Sequence, residues 1–245
     1  MLHELLKSHP AVSGFADTGV PKDEGQLLQT VYPAAKEFGG PGRFGFNPSS
    51  FMTEQHPLAS KASGDRLFQE WSRYWDLSKM HLVEKSPPNL VRSRFLQALF
   101  PNSSFIFVLR HPVAVAYATR SAFTRARTLG VAELIEHWIR CHAALAEDLP
   151  SLRRACVFRY EDFVADSSHY LKAIWGFLGL PDSSTNLTIS SDENAKYFAL
   201  WEQELDGVDF DIADREKQVN RFGYSLRDWR SLAPASVAGH AIPPF

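Results

Sequence analysis

Short apolar runs alternate with segments of helical periodicity through most of the chain. The runs predict strands at 81–85, 105–109 and 155–160. Helical spacing and helix start signals predict helices at the N-terminus, from Asp23, over 65–76 and 89–100, after Pro112, from about Val131, and over 167–178 and 192–205. A loop is predicted at 218–229. The alternation of strands and helices predicts the α/β class, with three layers and a mostly parallel central sheet.

The predicted strand 105–109 is followed directly by an arginine. Its five residues are apolar without alternation, which is typical of a strand buried on both faces of a parallel sheet. Arg110 therefore lies at the carboxyl end of the strand, where open α/β sheets bind their ligands. Pro112 suits the first turn of a following helix. The alternative is an arginine that forms only a salt bridge at the surface.

Length and composition predict one globular domain. Of the 245 residues, 44% are hydrophobic and 22% are charged, which is neither a fibrous nor a disordered composition. A single domain is expected over 1–245, with a less regular C-terminal region over 183–245. No apolar stretch approaches the roughly 18 residues that a membrane helix needs, so no membrane segment is predicted.

Charge is concentrated in one part of the chain. The formal net charge of −2 and the pI near 6.5 argue against a general nucleic-acid binder. The window 85–127 contains seven Lys and Arg residues and no Asp or Glu, so it carries +7 and the rest of the chain carries −9. Such a segment around a buried strand predicts a cradle for a small polyanion such as a nucleotide. The alternative is that several of these arginines lie on solvated helix faces, which is expected of at least Arg92 or Arg94.

The cysteine and histidine positions predict no metal centre and no disulfide framework. Cys141 falls in a helical pattern and Cys156 in a strand pattern, and neither belongs to a CxxC spacing. Both are predicted to be buried thiols. His137 and His142 are five residues apart, whereas ligands on one helical face are three or four apart.

Three stretches together resemble the sulfotransferase family. They are VEKSPPNLVRSRFLQALFPNSSFIFVLRHPVAVAYATR, FRYEDFVADSSHYLKAIWGFLGLPD and LLKSHPAVSGFADT, and they cover most of the chain up to about residue 182. The resemblance implies a P-loop-type sulfotransferase fold. It also implies transfer of a sulfuryl group from phosphoadenosine phosphosulfate (PAPS) to a hydroxyl or amine, with PAPS as co-substrate and no metal.

The resemblance assigns several residues to the nucleotide. Arg110 resembles the family arginine that grips the 3′-phosphate, a task suited to a planar, permanently charged fork of donors. Where the family has a serine for the same phosphate, this chain has Ala118, and the neighbouring Thr119 is the substitute. Arg120 is a further candidate for the phosphate, and a role on the helix surface is its alternative.

Two more positions are carried over to the nucleotide site. Tyr160 resembles the residue that packs near the adenine, and an ordinary core aromatic is the alternative. Arg221 corresponds by a weaker match to the basic loop that the family places late in the chain, over the 3′-phosphate.

The chemistry is assigned to a lysine and one of two carboxylates. Lys85 resembles the family lysine that neutralises the departing phosphate, although a lysine at a strand end is also a common solvated residue. Asp17 lies where protein-tyrosine sulfotransferases have a glutamate next to a threonine. The alternative for Asp17 is a turn residue in DTG. Glu24 remains a competing base, and the choice between the two carboxylates stays open.

The chain departs from the family pattern at its beginning. The family has a strand followed by a PKSGT-type or PRSGT-type loop that holds the 5′-phosphosulfate, and Met1 falls just after that position. The glycine-rich 39–45 does not replace the loop, because no Lys-Ser or Lys-Thr and no helix pattern follow it. The domain is therefore expected to be N-terminally truncated, to lack its first, central strand and the P-loop, and to have impaired activity. A cytoplasmic location is the default, since a missing N-terminus hides any leader.

Two other functions remain open beside PAPS-dependent transfer. One is a non-catalytic nucleotide-binding homologue of the sulfotransferases. The other is a P-loop kinase-like protein, which needs a Gly-Lys-Ser/Thr loop that the sequence does not supply. The expected partners are PAPS and an acceptor hydroxyl or amine, while the acceptor's identity and the oligomeric state stay open.

Overall fold

A computed structural model describes residues 1–183, 193–204, 212–233, 236–237 and 240–241. Its helices are α1 Leu2–Lys7, α2 Lys61–Trp71, α3 Ser93–Leu99, α4 Pro112–Ala122, α5 Val131–Asp148, α6 Tyr160–Ala165, α7 Ser167–Leu178, α8 Ala195–Glu204 and α9 Ile212–Asn220. Its strands are β1 Val12–Gly14, β2 His81–Val83, β3 Phe105–Leu109, β4 Ala155–Arg159, β5 Ser236–Val237 and β6 His240–Ala241. Short 3₁₀ turns connect several of these elements.

The strands pair as the α/β prediction requires. β1 and β2 are parallel, and β3 and β4 are parallel in a register that runs from Phe105 opposite Ala155 to Leu109 opposite Arg159. The last pair, β5 and β6, is antiparallel. The parallel pairing is confirmed, but within the described residues it forms separate two-stranded sheets rather than one continuous sheet. The missing central strand stays a prediction.

Helices cover both faces of the β3 and β4 pair. On one face Phe107 and Leu109 join the largest apolar cluster, which includes Trp138 and Leu145 of α5. On the opposite face Cys156 and Phe158 pack with residues of α1 and α7. The alternation of side chains along the two strands thus produces a helix layer on each face, which is the predicted three-layer arrangement. Cys141 and Cys156 are free and buried, as predicted.

The predicted elements agree with the structure except at particular positions. The strand 105–109 and the helix 167–178 have the predicted bounds, and the second ends at Gly179 in the left-handed conformation, with φ of 70°. Burial of the strand on both faces is wrong at Val108, which is 36% exposed. Among the described helices, none is both long enough and apolar enough to span a bilayer.

Several predicted bounds differ from the structure. The helix predicted at 89–100 is a 3₁₀ turn at Pro87–Val91 followed by α3, and the strand predicted at 81–85 ends at Val83. The helix placed at 65–76 is α2, at 61–71, because the Ser60 hydroxyl accepts the Ser63 amide at 3.2 Å and so caps the helix earlier. The helix from Asp23 is two 3₁₀ turns, and Lys22 and Asp23 adopt positive φ there. The loop 218–229 begins inside α9.

Exposure along β3 predicts a contrast between two neighbouring residues. Leu109 is fully buried, so Leu109→Ala should lower the free energy of unfolding by about 2 to 5 kcal/mol. Val108→Ala on the same strand should cost less than about 1.5 kcal/mol, because its side chain already meets solvent. Urea unfolding of both variants measures the contrast, and equal losses would contradict the assigned faces of β3.

Candidate functional site

Arg110 is held by its backbone between β3 and α4. The indole Nε1 of Trp138 donates a hydrogen bond to the carbonyl oxygen of Arg110 at 3.0 Å. The next residue, His111, begins α4: its Nδ1 accepts the amide of Val113 at 3.2 Å. The position of the arginine is therefore fixed by the end of a strand, the start of a helix and the core of α5.

The same histidine joins this edge to the C-terminal part of the chain. The Nε2 of His111 lies 3.1 Å from the carbonyl oxygen of Ser225 and must donate to it, since Nδ1 is the acceptor for Val113. His111 is fully buried, and burial lowers its pKa to about 3. It is therefore a neutral structural residue that ties α4 to residue 225.

The guanidinium of Arg110 lies over two tyrosine rings. Its Cζ is 4.6 Å from the ring centroid of Tyr160 and 5.6 Å from that of Tyr197. Its Nε donates to the Oδ1 of Asn194 at 2.8 Å. Its Nη2 is buried without a hydrogen-bond partner among the described residues. The structure thus brings Arg110 and Tyr160 together, as the sequence predicts, and adds Asn194 and Tyr197.

A carboxylate next to Tyr160 joins the elements around the arginine. The Oε1 of Glu161 accepts the amide of His111 at 3.0 Å and the Nδ2 of Asn194 at 2.7 Å. Its Oε2 accepts the hydroxyl of Tyr224 at 2.9 Å. One side chain of α6 therefore anchors the start of α4, the residue before α8 and the segment after α9.

A cavity of about 500 Å³ lies beside this network. Tyr160 and Asn194 line it together with Phe198 and Trp229, whereas Arg110 contacts two of the lining residues rather than the cavity itself. Burial raises the pKa of the Tyr160 hydroxyl. The aromatic walls and the few polar groups suit a flat, polar ligand such as a nucleobase.

A second group of predicted residues lies beyond the end of β2. The Nζ of Lys85 is 3.6 Å from the Oε1 of Glu24 and donates to the carbonyl oxygen of Lys22 at 3.1 Å. The Oε2 of Glu24 accepts the Nε2 of Gln26 at 2.6 Å. The structure therefore brings together Lys85 and Glu24 and fixes the orientation of the carboxylate.

Glu84 attaches the loop that carries Glu24 to the end of β2. Its Oε1 accepts the amide of Gly25 at 3.0 Å, and its two oxygens also accept the Ser86 hydroxyl and the Asn89 amide group. Burial raises the pKa of Glu84, and these donors oppose that shift. Glu84 was not predicted from the sequence, although it directly precedes Lys85.

The other candidate base lies in a different environment. Asp17 is exposed and has a left-handed φ of 52°, the conformation of a tight turn. Its neighbour Thr18 donates its amide and hydroxyl to the Oδ1 of Asp23, at 2.9 and 2.6 Å. These hydrogen bonds lower the pKa of Asp23. No described contact joins Asp17 to Lys85.

The remaining predicted nucleotide residues lie away from the arginine. Arg120 forms an ion pair with Glu204 at 2.7 Å, at the end of α8. Thr119 lies next to Gly42, with its methyl carbon 3.6 Å from the position of a Cβ added there. Arg221 is exposed in the turn after α9. No hydrogen bond, ion pair or ring contact among the described residues joins these three to Arg110.

Two arginines of the basic window, Arg92 and Arg94, have partners elsewhere and do not belong to a cradle around β3. Arg92 is fully buried and donates to the carbonyl oxygen of Pro33 at 3.2 Å, and Arg94 pairs with Glu54. These two arginines are close in sequence but point to different segments, because each pairs with a different oxygen from outside the window. Among the described residues no three His, Cys, Asp or Glu side chains form a metal-binding group.

The fold and site define a parallel α/β protein with an arginine and a tyrosine at adjacent strand ends and a lysine beyond another strand. A model of the sulfotransferase family matches residues 1–184. The chain belongs to the sulfotransferase family, which is a family of transferases with a sulfuryl donor and an acceptor. A comparison with curated protein sequences finds no match.

Two solved structures are similar to the chain. One is a sulfotransferase domain from the curacin biosynthetic pathway, with 17% identity, a TM-score of 0.44, and coverage of 64% of this chain and 66% of that domain. The other is a sulfotransferase from Alicyclobacillus acidocaldarius, with 18% identity, a TM-score of 0.47, and coverage of 92% of this chain and 91% of the other.

The close approach of Gly25 to Glu84 predicts a site-specific loss of stability. A Cβ on Gly25 would lie 2.3 Å from the Cγ of Glu84, so Gly25→Ala must displace the loop or the carboxylate and should cost about 1 to 3 kcal/mol. Gly176→Ala within α7 is the control, because nothing lies within 4 Å and alanine favours the helix. Thermal unfolding compares them, and an unchanged Gly25→Ala variant would contradict the packing at Glu84.

Proposed function

We propose that the protein is a PAPS-dependent sulfotransferase whose nucleotide is held at the ends of β3 and β4. The observation that carries the proposal is the pairing of Arg110 with Tyr160: a permanent cation lies 4.6 Å from the centroid of an aromatic ring that lines a cavity. An arginine suits a phosphate and an aromatic ring suits an adenine, so the two side chains next to each other suit a nucleotide that carries both groups. Family membership supports the same donor.

Lys85 and Glu24 are proposed to act on the transferred group. The acceptor's oxygen or nitrogen forms a bond to sulfur while the bond from sulfur to the phosphate oxygen breaks. The acceptor's proton goes to Glu24, and the charge left on the phosphate is neutralised by Lys85. Such a transfer depends on positioning and charge neutralisation, as phosphoryl transfer does.

The surroundings of the two carboxylates favour Glu24 as the base. Glu24 is 3.6 Å from Lys85 and is oriented by Gln26, whereas Asp17 is an exposed turn residue. A general base must be held within hydrogen-bond reach of its proton, so a fixed carboxylate beside the lysine is the better candidate.

The two other functions predict different results. A non-catalytic homologue binds adenosine 3′,5′-bisphosphate but transfers no sulfuryl group. A kinase-like protein is stabilised by ATP with Mg²⁺, whereas the proposed sulfotransferase is stabilised by the bisphosphate. Melting temperatures with each ligand separate the kinase from the other two.

The first prediction concerns nucleotide affinity. Arg110→Ala should weaken binding of adenosine 3′,5′-bisphosphate by roughly 10 to 150-fold, because charge-assisted hydrogen bonds to the phosphate are lost. Titration calorimetry measures this without any need for turnover. Arg127→Ala is the matched control, since Arg127 is an exposed arginine of the same basic window. Equal affinity of the Arg110→Ala variant and the parent would refute the assignment.

The second prediction distinguishes the two carboxylates. Glu24→Gln should slow sulfuryl transfer by about 100 to 10,000-fold while bisphosphate affinity stays unchanged, because only the proton acceptor is removed. Asp17→Asn should leave the rate of sulfuryl transfer within about threefold of the parent in the same assay. A single-turnover assay with labelled PAPS and pooled hydroxyl and amine acceptors measures the rate of transfer in each variant. The reverse order of effects would make Asp17 the base.

A further inference from the structure

Two arginines in the molecule, Arg94 and Arg159, show how the Nε and Nη2 edge of a guanidinium is used. The Nε and Nη2 of Arg94 donate to the two carboxylate oxygens of Glu54. Those of Arg159 donate to the two oxygens of Asp162, at 2.6 and 3.1 Å. In both cases an anion with two oxygens fills this edge, which is the usual bidentate geometry.

Arg110 has the same edge but only one oxygen on it. Its Nε donates to the Oδ1 of Asn194, and its Nη2 on the same edge is buried and has no hydrogen-bond partner among the described residues. A buried donor left unpaired is unfavourable, so the edge is only half satisfied. The amide of Asn194 cannot fill it, because its other end is an NH₂ group that donates to Glu161.

The part of the chain that supplies Asn194 lies beyond the family match. That match ends at residue 184, whereas Asn194 directly precedes α8, and Tyr197 in the first turn of α8 lies over the same guanidinium. Asn194 is 8% exposed and is tied to Glu161. The start of α8 therefore covers the edge of Arg110 that a phosphate would use.

We infer that Asn194 sets the nucleotide affinity of the site by competing with a phosphate group for the Nε and Nη2 edge of Arg110. This inference rests on the proposed function, because it takes the 3′-phosphate of the nucleotide as the competing anion. A phosphate offers two oxygens to the edge and pairs the buried Nη2, so it displaces the amide oxygen. The start of α8 must move for the exchange to occur.

Substitutions at Asn194 should change affinity in opposite directions. Asn194→Ala removes the competitor, so adenosine 3′,5′-bisphosphate should bind about fivefold more tightly. Asn194→Asp loses the donor to Glu161, so its carboxylate turns from the Glu161 oxygen and places two oxygens on the Arg110 edge; the same ligand should then bind at least about tenfold more weakly. Asn194→Ser has a side chain too short to reach the edge, so it should also bind the bisphosphate more tightly. It replaces Asn194→Ala in the experiment if the alanine variant does not fold.

Adenosine 5′-phosphate, which lacks the 3′-phosphate, provides the readout that a purely structural role would not give. Its affinity should change less than about twofold in every variant, because it has no 3′-phosphate to bind the Nε and Nη2 of Arg110. A general disturbance of the pocket would alter both ligands alike. Gln203→Ala, at an exposed position of α8, is the matched control and should leave both affinities unchanged.

Calorimetric titration of the full chain with both nucleotides distinguishes the failures. If the parent binds the bisphosphate and Asn194→Ala binds it equally or more weakly, the competition is overturned and the proposed function stands. If the parent binds no bisphosphate, the proposed function fails and the competition fails with it. Tighter binding by Asn194→Ala with weaker binding by Asn194→Asp supports the inference.

Discussion

The parallel register of β3 and β4 is the constraint on which the rest of the site depends. Leu109 lies opposite Arg159, so the residues that follow each strand, Arg110 and Tyr160, meet at one edge. Both faces of the pair are covered by apolar clusters, which fix the strands against each other. A slip of one residue would exchange the faces of β4 and separate the arginine from the ring.

Two partly buried glutamates, each just after a different strand, accept hydrogen bonds from neighbouring segments. Glu84 follows β2 and holds the amide of Gly25, while Glu161 follows β4 and holds the amide of His111 and the side chain of Asn194. In each case a carboxylate accepts several donors and ties a loop to a strand end. The proposed catalytic and nucleotide-binding groups are thus positioned in the same way, by a glutamate at a strand end that binds donors from segments far away in the sequence.

The sequence predicted elements whose signals are local, and it missed contacts that depend on folding. The apolar run at 105–109, the proline after it and the glycine that ends α7 are local signals. The strand and α7 have the predicted bounds, and α4 begins where the proline predicts. The positions of Arg92 and Arg120 were not predictable, because their partners come from distant segments. Asn194 lies beyond the family pattern, so no motif pointed to it.

The most direct test of the account is a crystal structure of the protein with adenosine 3′,5′-bisphosphate. The account predicts the 3′-phosphate on the Nε and Nη2 edge of Arg110, the adenine against Tyr160, and Asn194 displaced from the guanidinium. A nucleotide bound elsewhere, with the contact between Arg110 and Asn194 intact at 2.8 Å, would contradict it.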